Sequence, residues 1–181
     1  VILVSGRGSN MQALVAARLD RLTSLERDVV TDASVLGESF TIDGLAALGG
    51  DREDVSDALD SLRRKEIVRL QTDRFSAERG QYRFVQSVVR QVAYATQSRR
   101  DRATRHLAAA AHLAALRDPG DDLAVVIAQH LLDAVEATPA DDPGVFDLAA
   151  RATAYLERAA VRALRVGAPA EAQRLAEVAL D

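Results

Sequence analysis

The chain has 181 residues, 48% hydrophobic and 28% charged, with a net charge of −4 and no cysteine. That length suits one large domain or two small ones. The charge balance excludes a global positive field drawing the chain to nucleic acid or anionic lipid. The missing cysteines exclude disulfides and thiolate metal sites, which fits a reducing, cytoplasmic setting.

No apolar run approaches the roughly 18 residues of a membrane-spanning helix, and no signal peptide is visible. Aromatic residues make up only 4% of the chain and tryptophan is absent, so the core must be built from Ala, Leu and Val. Side chains this small let helices approach closely. The expected fold is mainly α.

Residues 1–4, Val-Ile-Leu-Val, read as one short strand, and residues 5–10, Ser-Gly-Arg-Gly-Ser-Asn, as a loop. From Met11 to Leu22 apolar residues recur at helical spacing. Thr23 followed by Glu26 is a capping box that opens the next helix, whose apolar face is Val29, Val30, Ala33 and Leu36 and which Gly37 ends. Phe40, Ile42, Leu45 and Leu48 form a short third element before Gly49 and Gly50. Asp51 caps an amphipathic helix over 52–65 with Val55, Leu59 and Leu62 on one face. Residues 67–70 and 82–85 alternate as the two strands of a hairpin, and a closing helix covers 86–97. Three helices followed by a β-hairpin is the winged-helix order, placed at 11–97.

Beyond Ser98 the pattern is purely helical and Ala-rich. Helices are expected at 99–116, 123–137, 145–166 and 171–180, with breaks at 118–122, 138–144 and 167–170. The last two helices resemble a tetratricopeptide hairpin, in which small residues let paired helices touch. The domain plan is therefore a remnant strand and loop at 1–10, a winged helix at 11–97 and a helical region at 98–181. The chain opens on Val1 and stops at Asp181 directly after a helical pattern, so it is expected to be a piece of a longer protein. An interrupted helical array would leave Leu175, Val178 and Leu180 without intramolecular partners and favour self-association there.

Gly6, Gly8, Ser9 and Asn10 lie between an apolar run and a helix, where a glycine-rich loop can cradle a phosphate on backbone N–H groups. Residues 1–14 also resemble the opening of glycinamide ribonucleotide formyltransferases. That fold needs further parallel strands, and residues 15–66 read as consecutive helices instead. No Gly-x-x-x-x-Gly-Lys-Ser/Thr motif occurs, so no catalytic residue and no cofactor is assigned. His106 and His112 are six residues apart and fall on different helix faces, whereas a metal pair on one helix sits at i,i+4. His130 sits among Ile127, Leu131 and Ala134 as a packed residue. No metal site is expected.

In a DNA-reading winged helix the 52–65 helix would present its N-terminal residues to base edges. Here those residues are Asp51, Glu53, Asp54, Asp57 and Asp60, with Arg52 the lone cation among them, and carboxylates facing phosphates repel. A protein-packing role is the stronger expectation. The basic run Arg63-Arg64-Lys65 complements the helix dipole without any ligand.

The blocks at 11–22, 23–30, 32–40 and 82–94, taken in order, resemble the segment after the nucleotide-binding core in STAND-type bacterial signalling ATPases. These modules are joined to class III adenylyl cyclases or LuxR-type regulators. The resemblance implies a non-catalytic regulatory fragment of an ATP/ADP-binding parent. It would pack on the parent's nucleotide-binding core, take a protein or small-molecule effector on its helices, and bind neither nucleic acid nor membrane. It also implies a nucleotide-sensing position near the start of the closing helix. Gln86 stands there in place of the family's usual His, followed by Arg90. An independent winged-helix transcription regulator is the alternative.

Overall fold

Side-chain caps set where several of the helices begin. The computed structural model describes residues 6–72, 80–116 and 123–180, with side chains from Asn10 onward in the first helix. The backbone divides into two compact units, one ending at Gln97 and the other beginning at Ser98. Among the described residues no helix is long and apolar enough to cross a membrane.

The first unit runs α1 (Gly6–Leu19), α2 (Ser24–Leu36), β1 (Ser39–Phe40), α3 (Ile42–Ala46), α4 (Arg52–Arg64), β2 (Val68–Leu70), β3 (Tyr82–Phe84) and α5 (Ser87–Ala95). Thr23 Oγ1 accepts from the Glu26 N–H at 3.2 Å and Glu26 Oε2 accepts from the Thr23 N–H at 2.8 Å, completing the capping box of α2. Asp51 caps α4 by accepting from the N–H groups of Glu53 and Asp54. Val55, Leu59 and Leu62, spaced one and two turns apart, turn inward from α4 to meet Val29, Val30 and Ala33 of α2 in one core. Leu59 and Leu62 are fully buried.

The sheet is three-stranded and antiparallel in the order β1-β3-β2, with Phe40 opposite Tyr82 and Val68 opposite Phe84. The first strand, β1, was not expected. The third element read at 40–48 divides into this two-residue strand and the short helix α3, because Thr41 caps α3 by accepting from the Gly44 N–H and so separates Phe40 from it. Phe40 then packs its ring 5.4 Å from that of Phe84, which holds β1 against β3.

Between α4 and β2 the chain turns through Glu66 in the left-handed region, at φ +54°. The Glu66 N–H donates to Arg63 O and the Ile67 N–H donates to Leu62 O, both at 3.0 Å. Those two bonds satisfy helix-end carbonyls in a Schellman arrangement, and Ile67 and Leu62 share the core beneath it. A non-glycine residue in this region is strained by about 1 kcal/mol, and the buried Leu62–Ile67 contact offsets it.

In the second unit α6 (Arg99–Ala115), α7 (Ala124–Ala137), α8 (Val145–Arg165) and α9 (Pro169–Leu180) each pack on the next in sequence. The packing surfaces are mostly alanine, with Ala109, Ala128 and Ala134 fully buried and Ala110, Ala152 and Ala159 nearly so. Arg99 donates to Glu136 O at 2.7 Å, tying the start of α6 to the last turn of α7. The basic stretch that opens α6 thus includes a cation placed on helix-end carbonyls.

Leu175 departs from expectation. It is buried against Ala159 and Leu156 of α8, because α9 turns it toward its own hairpin partner. Val178 and Leu180 are exposed, at 47% and 88%.

Candidate functional site

A buried cluster of ionisable side chains in the second unit was not foreseen from spacing. His106 on α6 and His130 on α7 are 2% and 6% exposed. Their Nδ1 atoms lie 3.0 Å apart and their rings tilt at 48°. Asp133, one turn beyond His130 on α7, places Oδ2 3.6 Å from His106 Nδ1. The other carboxylate oxygen, Oδ1, accepts from Gln129 Nε2 at 2.9 Å.

The three donor atoms lie within 4.8 Å of one another. Burial holds the His130 imidazole below its ordinary pKa, against the opposing pull of the Asp133 carboxylate. His130 is therefore neutral near pH 7, and of the two facing Nδ1 atoms one donates and the other accepts, the tautomers setting which. His112 is half-buried elsewhere on α6 and takes no part. Single-helix spacing compared His106 with His112 and missed the pair that α6–α7 packing creates.

The residues singled out from the sequence are scattered differently. Gly6, Gly8, Ser9 and Asn10 belong to the opening turns of α1 and not to a loop. The strand read at 1–4 lies outside the described residues. The strands among the described residues are three short antiparallel segments, not the parallel sheet of a formyltransferase-like fold.

Gln86 occupies the N-cap position of α5, exposed and making no side-chain capping hydrogen bond. Arg90 lies one turn further on and is turned inward. Its Nε donates to Ser34 O on α2 at 3.0 Å, and its guanidinium lies 3.8 Å from Glu38 Oε1. Beside this contact Gln97 Nε2 donates to Ser34 Oγ at 2.9 Å, which binds the chain after α5 to α2. Arg90 thus joins two helices, while Gln86 alone of the pair faces solvent.

Two hollows in the first unit bear on ligand size and charge. One, of about 140 Å³, lies between α1, α2 and α5 and is lined by residues such as Leu19, Val30 and Val92. It falls well below the ~300 Å³ at which small-molecule sites begin. The other is an open groove beside Arg63, Arg64 and Arg69.

The opposite end of α4 is acidic. Glu53, Asp54 and Asp57 are exposed there, and the lone cation Arg52 is paired with Asp43 of α3. No known protein family, curated protein or solved structure matches the chain.

Proposed function

We propose that the chain is a non-catalytic regulatory fragment of a multidomain signalling ATPase. Its first unit acts as a winged helix that packs on protein, and its second as a tetratricopeptide-like array that takes an effector. The order α2-β1-α3-α4-β2-β3, with β1 completing the sheet beside the hairpin, supports the winged-helix reading. The serial packing of α6 to α9 through alanine faces supports the helical-array reading. Output through a cyclase or a transcription-regulating domain belongs to the parent protein in this proposal.

The observation that carries the reading is the acidic start of α4. In a DNA-reading winged helix this end would approach the duplex, yet it offers Glu53, Asp54 and Asp57 while Arg52 is already held by Asp43. Bringing those carboxylates to phosphate would add repulsion where counterion release needs cations. The same surface is suited to a basic protein partner. The DNA-binding alternative draws on Arg64 and Arg69, which line the groove at the far end of α4.

A titration of fluorescent random duplex with the chain at low salt separates the two. The regulatory reading predicts no anisotropy change up to about 100 µM protein. A non-specific DNA binder would bind with Kd of about 1–100 µM and weaken steeply with added salt, and that result would favour the alternative.

A further inference from the structure

We propose that His106, His130 and Asp133 form a binding site for one divalent transition-metal ion of the Zn²⁺ class, bridging α6 and α7. This site is independent of the regulatory reading above. The donor set is two imidazole nitrogens and one carboxylate oxygen, contributed by two helices and drawn together within 4.8 Å.

Zinc bonds to His nitrogen and carboxylate oxygen at about 2.0–2.2 Å in tetrahedral geometry. Donors around such an ion stand roughly 3.3–3.5 Å apart. Two of the three separations, 3.0 Å between the two Nδ1 atoms and 3.6 Å from His106 Nδ1 to Asp133 Oδ2, bracket that value, and the third lies within 4.8 Å.

Gln129 holds the second oxygen of Asp133, fixing the carboxylate as outer hydrogen bonds do around metal ligands. Both imidazoles are almost wholly buried, whereas the Asp133 side chain is 30% exposed, so the carboxylate edge gives the ion a way in from solvent. Water entering by the same edge would supply the fourth ligand.

Nitrogen donors mixed with one oxygen favour Zn²⁺, Co²⁺, Ni²⁺ or Cu²⁺ over the hard ions Mg²⁺ and Ca²⁺. Bound there, the ion would join α6 to α7 at a point between the mostly alanine surfaces that otherwise hold them. Metal occupancy would then set how firmly the two helices are paired.

The test uses the whole chain, stripped of metal with a chelator and titrated with Co²⁺ and then Zn²⁺. The expected result is one ion per chain, visible d–d absorption for Co²⁺ that Zn²⁺ displaces, and a higher Tm with Zn²⁺ bound. Asp133→Ala and His130→Gln should each weaken the affinity by about a hundredfold or more, while His112→Gln should leave it unchanged. Asp133 lies at the edge of the core, so its variant keeps the test readable if the buried histidine change unfolds the unit, which far-UV circular dichroism would reveal. Absence of Co²⁺ absorption, or affinity that survives Asp133→Ala or falls with His112→Gln, would overturn the site.

Discussion

Replacing Lys65, the only lysine in the chain, with alanine is expected to destabilise the first unit by about 2 kcal/mol at pH 7. Lys65 Nζ donates to both oxygens of Glu26, at 2.5 and 2.6 Å, joining the end of α4 to the start of α2. Glu26 is 4% exposed, and its burial alone would raise its pKa. Hydrogen bonds from Lys65, Ser61 and the Thr23 N–H outweigh that burial and hold the carboxyl down to about 2, from an ordinary 4.5.

A folded value below the unfolded one means the stabilisation is present above pH 4.5 and lost as pH falls toward 2. The full shift corresponds to a ceiling of about 3 kcal/mol. The Lys65 side chain is 39% exposed, and solvent screening reduces this to about 1–2 kcal/mol. Alanine removes the pairing and also leaves a buried carboxylate with fewer donors. Urea unfolding followed by circular dichroism should show the gap between wild type and Lys65→Ala at pH 7 narrowing by about half at pH 3 and closing only toward pH 2. A gap that persists unchanged at pH 3 would mean that the aliphatic stem of Lys65, not its charge, carries the effect.

The second large effect is expected from enlarging the alanine surfaces of the second unit. Ala128 on α7 is fully buried in a cluster with Leu156 and Ala159 of α8. Leucine there would force the two helices apart or off their rotamers, costing about 2–3 kcal/mol and lowering Tm by on the order of 10 °C. Ala150→Leu, on an exposed position of α8, should leave Tm nearly unchanged. Equal melting of the two variants would show that the helices are not closely packed at Ala128.

Local chemistry made much of the fold legible. The capping box at Thr23 and Glu26, the Asp51 cap and the Val55-Leu59-Leu62 stripe each depend on residues within a few positions, and each lies where the pattern placed it. Strand β1 did not emerge, because two residues carry no periodicity and Phe40 becomes a strand residue only against Tyr82 and Phe84. The opening of α1 was read as a loop because Gly6 and Gly8 are weak helix formers.

Glu26 was legible as a cap, but its partner lies 39 residues away and no spacing rule reaches Lys65. The same limit hid the histidine pair. His106 and His130 are 24 residues apart, and only the packing of α6 on α7 brings them together. The pairing of Arg52 with Asp43 likewise adds, from tertiary structure, to a charge argument that began in the sequence.

The proposal that this chain serves a signalling ATPase is tested most directly by reading its gene upstream of the codon for Val1. The account predicts an in-frame Gly-x-x-x-x-Gly-Lys-Ser/Thr phosphate-binding motif within the preceding few hundred codons, following a strand-like apolar run. A reading frame with no such motif upstream would contradict it.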